Sequence, residues 1–157
     1  MESDAPEASG PRPDDITTRQ ATPRDAAAIS ALVAHYVPAG TLLPRDEAFV
    51  AAHAADFIVA ERDGRVVGCV HLDDYAPSLA EVRSLAVSPA AQAGGVGVRL
   101  VRALEALAVR RGYATLFAVS NNGGFFHRLG YVERHVPELD RERSAVSRFK
   151  GVYAKDL

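Results

Sequence analysis

Between Ile16 and Tyr36 the spacing of apolar positions changes from two to about three and a half. The run ITTRQAT alternates apolar and polar residues as a half-buried strand does. Thr22-Pro23-Arg24-Asp25 then supplies a helix cap, a proline for the first turn and an acid beside it. Ile29, Leu32, Val33 and Tyr36 follow at i, i+3, i+4 and i+7, which is the inward face of a helix. After the loop VPAGTLLP a second helix is predicted over Arg45 to Ala54. FIVAERDGRVVGCVHLDD reads as two strands joined at Asp63-Gly64, a pair that accepts the positive φ angles of a two-residue hairpin turn. AEVRSLAV is a fourth strand. A third helix turns Leu100, Leu104, Leu107 and Ala108 inward and Arg99, Arg102, Arg110 and Arg111 mostly outward. TLFAVS, GGFFHRL and GYVERH then predict strand, short helix and strand, and Ser144 to Ala154 a last strand. The order β-α-α-β-β-β-α-β-α-β-β predicts an α/β (α+β) domain, a mixed sheet flanked by helices.

Met1 to Asp15 carries proline and acid but few large apolar residues, so it is expected to be a disordered tail. Residues 16–157 are expected to form a single domain, a length at which one core suffices. The net charge of -2 argues against a general nucleic-acid surface, which needs a basic excess. All of the 18 basic residues except Lys150 and Lys155 are arginines, the planar cations suited to carboxylate and phosphate. Cys69 is the single cysteine, so no internal disulfide can form and a cytoplasmic location is expected. No apolar run reaches spanning length, and no membrane partner is expected. Cys69 and His71 share a strand face, but two ligands do not complete a four-coordinate site, so no metal is expected.

The segment SPAAQAGGVG raises a question of cost. Gly94, Gly95 and Gly97 stand where the third helix must begin, and each lowers helix propensity by roughly 1 kcal/mol relative to alanine. The first N–H groups of a helix lack intrahelical partners, and bare glycine backbone lets an anion approach them. A phosphate or pyrophosphate is the natural ligand; the alternative is a flexible strand-to-helix turn. The ending G-K-[ST] of a phosphate-binding loop is absent, and so is G-x-G-x-x-G around these glycines.

What the segment does match is Q-x-x-G-x-G, as Gln92-Ala93-Gly94-Gly95-Val96-Gly97, after a strand ending LAVSP. This resembles the acetyl-CoA motif of the GNAT acyltransferase superfamily, and the element order from Ile16 to about Val136 resembles it too. The resemblance implies a mostly antiparallel central sheet of six to seven strands with about four helices. It implies acetyl-CoA as the acyl donor, its pyrophosphate cradled by Gln92, Ala93, Gly94, Gly95, Val96, Gly97 and Val98. Leu85, Ala86 and Val87 would pair with the pantetheine arm.

Most members of that superfamily carry a tyrosine four residues before the final GF or GY; here Phe126 stands there. FFHRLGY is instead similar to the FF…GF pattern of N-acetylglutamate synthases. AGTLLPR resembles their G-x-L-[LV]-x-R loop, EVRSLAV their E-x-x-[CST]-x-A-V strand, and LFAVS their LFVL-[ST] strand. The chain departs from that pattern near its end, where ERSAVSRFKG fits R-x-S imperfectly. The resemblance implies a short, stand-alone amino-acid N-acetyltransferase acting on L-glutamate, the first step of arginine biosynthesis. Other small amines or a peptide N-terminus remain open as acceptors, as does a non-catalytic acyl-CoA sensor, and a homodimer remains open.

An amino-acid amine is mostly protonated at neutral pH and must lose a proton before it attacks a thioester. Glu81 is the candidate base, with a solvated strand-end carboxylate as the alternative. Strict alternation puts Glu81 and Ser84 on opposite faces; the strand bulge that the resemblance implies would bring both toward the cleft. The Leu85 N–H would stabilise the oxyanion, and Ser120 would steady the departing thiolate or simply cap the strand. Glutamate's two carboxylates suit guanidinium forks. Arg45 is the first candidate to hold one, with Arg83, Arg143 and Arg148 as others and Ser84 beside them.

Overall fold

The computed structural model describes residues 15–40, 42–139 and 151–157. Its elements run β1 (Thr17–Gln20), α1 (Ala26–Tyr36), α2 (Glu47–Ala52), β2 (Phe57–Arg62), β3 (Arg65–Ala76), β4 (Leu79–Val87), α3 (Val96–Arg110), β5 (Thr115–Ser120), α4 (Gly123–Arg128), β6 (Val132–Glu133) and β7 (Gly151–Asp156). The strands form one seven-stranded sheet in the order β1-β2-β3-β4-β5-β7-β6. Every neighbouring pair is antiparallel except β4 and β5. Element order and sheet type are those the sequence predicts.

Among the described residues three hydrophobic clusters cover the sheet, and the two larger ones lie beneath helices on opposite faces. Val96, Leu100, Val101, Leu104, Leu107 and Ala108 recur at helical spacing on α3, and each is at most 3% exposed. They pack on Ile58, Ala60, Val70, Leu72, Ala80 and Val82 of the sheet. Ile29 and Val33 of α1 and Val50 of α2 cover Phe57, Val59, Cys69 and Ala86 on the other face. Each fully buried Val, Leu, Ile or Phe among these contributes about 1.5–3 kcal/mol. The β2–β3 hairpin closes at Asp63 and Gly64, both at positive φ (53° and 75°), the geometry expected of an Asp-Gly turn.

Several boundaries differ from the sequence expectation. The second helix begins at Glu47 rather than Arg45, because Asp46 caps it and its Oδ1 accepts the Phe49 N–H at 2.7 Å. Arg45 therefore sits in the loop, not on the helix. The residues after Asp25 start α1 only after a 3-10 turn over Pro23–Asp25. The predicted strand GYVERH shrinks to Val132–Glu133, and the last strand spans Gly151–Asp156, two residues past the predicted end; the predicted start over residues 144–150 lies outside the described residues. The predicted N-terminal tail, apart from Asp15, and the candidates Arg143 and Arg148 lie outside the described residues.

Candidate active site

The parallel pair is where the sheet opens. β4 and β5 are in register only at Leu79–Thr115, Ala80–Leu116 and Glu81–Phe117. β4 nevertheless continues to Val87 and β5 to Ser120. Beyond Glu81 the β4 edge facing β5 has no strand against it among the described residues, so its backbone groups stay available to an extended ligand.

Directly after that point β4 bulges. Cys69 pairs with Ala86 but His71 pairs with Arg83, so Ser84 and Leu85 together oppose Val70. Ser84 takes the left-handed conformation, φ 55°, that this extra residue requires. The consequence is a change of face. Ala80 and Val82 pack under α3, whereas Ala86, of the same parity, packs under α1. Leu85 and Val87 lean on the α3 side instead. Ser84 is buried, and its carbonyl accepts a contact from the Cys69 thiol at 3.4 Å.

The start of α3 lies past the end of β4. Gly95 is its N-cap, held at φ 72° with no side-chain cap hydrogen bond, and no acid stands in the first turn. The first hydrogen bond of the helix runs from Arg99 N–H to Gly95 carbonyl at 3.2 Å. The N–H groups of Val96, Gly97 and Val98 precede it and lack helical partners. A Cβ at Gly95 would meet nothing within 4 Å. This is a bare, uncapped, positive helix end, and it fits a pyrophosphate. Gln92, in the 3-10 segment Pro89–Gly94, is tied into the fold: its Nε2 donates to the Tyr36 hydroxyl at 2.6 Å. Tyr36 in turn donates to the Val87 carbonyl, which fixes the end of β4 against α1.

On the opposite face from α3, β3 and β4 bring ionisable side chains together. Asp73 pairs with Glu81 and His71 with Arg83 across the ladder. Arg83 Nη1 donates to Asp73 Oδ2 at 3.1 Å, and its Nε lies 3.9 Å from Glu81 Oε1. The Glu81 side chain is only 15% exposed. Burial pushes its carboxyl up to about 7 and Asp73 adds to this, while Arg83 and Arg45 pull the other way. A carboxyl poised there exchanges protons at neutral pH, as a general base must.

Arg45 closes the cluster from the loop before α2. The Ser30 hydroxyl donates to its carbonyl at 2.6 Å, and its guanidinium carbon lies 5.0 Å over the Phe49 ring. Desolvation and the nearby Arg83 lower its pKa. Its Nε is buried without a partner among the described residues.

The sequence candidates thus divide. Glu81, Arg83 and Arg45 share one electrostatic cluster, and Ser84, Leu85, Ala86 and Val87 line the bulged edge beside it. Ala93 and Gly94 precede the helix end formed by Gly95, Val96, Gly97 and Val98. Ser120 ends β5, where its Oγ accepts the Asn122 N–H at 2.8 Å ahead of α4. Phe126 is buried against Tyr131. Sequence reasoning passed over Asp73, although pairing the hairpin strand with EVRSLAV in antiparallel register sets it opposite Glu81. It also passed over His71 as a member of this site. The Cys69 thiol is fully buried and pushed up to about 12, so it stays protonated. Among the described residues no group of three or more His, Cys, Asp or Glu side chains is placed to hold a metal. Among them, too, no helix is long and apolar enough to cross a membrane.

Comparison with known proteins places this geometry. The sequence profile of the acetyltransferase (GNAT) domain matches residues 53–133. An uncharacterised N-acetyltransferase of Chlorobaculum tepidum is 39% identical over 119 residues, 76% of this chain and 77% of that protein. The amino-acid acetyltransferase of Neisseria meningitidis is 35% identical over 138 residues, 87% of this chain but 32% of that protein. Among solved structures, Rv2747 from Mycobacterium tuberculosis in complex with CoA and NLQ superposes with a TM-score of 0.81. It is 25% identical, over 90% of this chain and 99% of that one. N-acetylglutamate synthase from Neisseria gonorrhoeae, complexed with coenzyme A and N-acetyl-glutamate, gives 0.80 at 31% identity over 90% of this chain. The chain spans about a third of the length of these two neisserial proteins.

Proposed function

The chain belongs to the acetyltransferase (GNAT) family, and from that premise we propose that it moves the acetyl group of acetyl-CoA directly to the α-amine of L-glutamate. It is an acetyl-CoA-binding acetyltransferase of the GNAT fold; the glutamate acceptor and the residue roles are our reading. The observation that carries the reading is the cluster of Glu81, Arg83 and Arg45 beside a bulged, open strand edge. The two solved relatives bear on it because both hold CoA, and the gonococcal one holds N-acetyl-glutamate. We read residues 16–157 as the single domain that carries this activity.

Acetyl-CoA supplies an activated thioester. The uncapped first turn of α3, from Gly95 to Val98, holds its pyrophosphate, with Gln92, Ala93 and Gly94 leading in. Leu85, Ala86 and Val87 present the free strand edge to the pantetheine arm. Arg45 takes one carboxylate of glutamate, with Arg83 and Ser84 as further candidates beside it; Arg143 and Arg148, outside the described residues, stay candidates from the sequence alone. Glu81 takes a proton from the substrate ammonium, so that the free amine attacks the acetyl carbonyl carbon. The Leu85 N–H receives the developing oxyanion, a contact typically worth ~3 kcal/mol. Ser120 offers its hydroxyl proton side to the departing thiolate while its oxygen accepts from Asn122.

Arg45 is the residue that tests the acceptor. Contacts between charged groups contribute roughly 1.5–3 kcal/mol, and losing one strands a desolvated carboxylate. Arg45→Ala is expected to lower kcat/KM for glutamate at least ~10-fold, with acetyl-CoA binding unchanged. Arg45→Lys should recover only part, because a point charge does not reproduce the fork. Aspartate and glutamine should be poorer acceptors in the parent, the first for reach and the second for charge. Steady-state kinetics on the three amino acids check this; indifference of Arg45→Ala would remove glutamate from the account.

A further inference from the structure

Two side-chain polar atoms are buried without a partner among the described residues: Arg45 Nε and His71 Nδ1. They belong to the same corner of the molecule. His71 is 2% exposed and lies flat on Phe57, ring centroids 4.3 Å apart and planes 7° from parallel. Phe49 makes a T-shaped pair with it, ring centroids 5.8 Å apart. The Arg45 guanidinium sits over that same Phe49 ring, and its charge acts on the imidazole. Across the ladder from His71 stands Arg83, beside Glu81.

Buried polar groups in folded proteins almost always find partners, and an orphan calls for a specific reason. His71 has no need to be polar for the sake of the fold. Its ring stacks on one phenylalanine and touches another, places a phenylalanine would fill equally well. Burial holds the imidazole neutral, pushed down to about 4. A neutral imidazole protonated on Nδ1 is a hydrogen-bond donor, and an arginine Nε–H is a donor only. With the imidazole proton on Nδ1, the two orphans are two donors in one aromatic-walled corner and match a group that accepts and does not donate.

We infer that His71 is a specificity-determining residue of the acceptor pocket, its Nδ1–H joining the Arg45 Nε–H on one carboxylate or carbonyl group of the substrate. The inference rests on the acetyltransfer reading above and deepens it by naming the acceptor class. Amines that carry a carboxylate or carbonyl oxygen satisfy both donors. Polyamines offer only further donors and leave both unpaired, so they are selected against.

The test is His71→Phe in the full chain, assayed with whichever acceptor the parent turns over best. The stack on Phe57 survives and an unpaired buried polar atom disappears. The melting temperature is therefore expected to rise by about 2–6 °C. The KM for the acceptor should rise at least ~10-fold while kcat and the KM for acetyl-CoA hold. His71→Asn, whose amide nitrogen falls near the Nδ1 position, should return KM to within about threefold of the parent. A histidine with a merely structural role would give the opposite pair of results, a lower melting temperature and an unmoved acceptor KM, and that would overturn the inference. A parent that prefers spermidine and tolerates His71→Phe would overturn it too. A parent that ignores glutamate but uses another carboxylate-bearing amine, with the predicted KM shift, would sink the glutamate reading and leave His71 in its role.

Discussion

Glu81→Gln is expected to bind acetyl-CoA like the parent and to lose about 100- to 10,000-fold in kcat. A glutamate carboxyl that is 15% exposed, with Asp73 across the ladder, is pushed up to about 7. At neutral pH it is partly ionised and accepts a proton from an ammonium without holding it too firmly to return it to solvent. The amide of glutamine keeps the shape and removes that capacity. Two pH experiments accompany the rate. In the parent, kcat/KM should climb with pH up to about 7 and then bend, and the Gln variant should lack that bend. Stability should respond with a definite sign. The folded-state pKa lies above the ordinary value of 4.5, so the protonated carboxyl favours the fold below pH 4.5, and this contribution is lost as pH rises through 7. At pH 8 the Gln variant should therefore be the more stable protein, by a margin on the order of 2 kcal/mol, and at pH 4 the two should be level. A variant that turns over like its parent would make Glu81 a structural carboxylate.

Gly97→Asp and Gly95→Asp should each weaken acetyl-CoA binding by more than ~100-fold and leave the domain folded. Neither position is crowded: a Cβ at Gly95 meets nothing within 4 Å, and one at Gly97 meets only the Phe125 ring, at 3.4 Å. Gly95 is held at φ 72°, where an aspartate is strained by roughly 1 kcal/mol. An acid in the first turn recovers about 0.3–1 kcal/mol from the helix dipole. The fold thus changes little, but the site changes sign. A carboxylate about 4 Å from a phosphate charge is opposed by roughly 4 kcal/mol near a protein surface. Gly97→Asn, equal in size and uncharged, should lose much less, which separates repulsion from crowding. Calorimetry with coenzyme A on the three variants decides it; unchanged affinity would show that the helix end is only a turn.

The sequence reveals those parts of the fold that rest on local rules. The α3 pattern from Leu100 to Ala108, the Asp63-Gly64 hairpin and the glycines before α3 each follow from spacing or backbone freedom, and the structure has them in place. What it conceals depends on pairing between segments distant in the chain. The slip at Ser84 arises from how β3 and β4 align: the family resemblance implied a bulge in this strand and the structure has one, but no residue type in RSLAV announces it. Asp73 and His71 enter the site only through that alignment, because the hairpin sets them opposite Glu81 and Arg83. Reading the second helix back to Arg45 overlooked Asp46, whose carboxylate caps the helix and leaves the arginine free on the loop. That signal was present in the sequence. The shortened strand after Gly130 had no such mark: Val132 and Glu133 pair only because β7 lies beside them.

At the centre stands acetyl transfer from acetyl-CoA to an amino acid whose carboxylates meet Arg45 and its neighbours. The most direct measurement is release of free coenzyme A, with the acetylated product weighed by mass spectrometry, across glutamate, glutamine, aspartate, spermidine and a short peptide. Turnover is expected with N-acetylglutamate as the main product, a higher kcat/KM for glutamate than for any other acceptor, and loss of that turnover in Glu81→Gln. Preference for spermidine or the peptide, or firm coenzyme A binding with no acceptor turned over, would contradict this expectation.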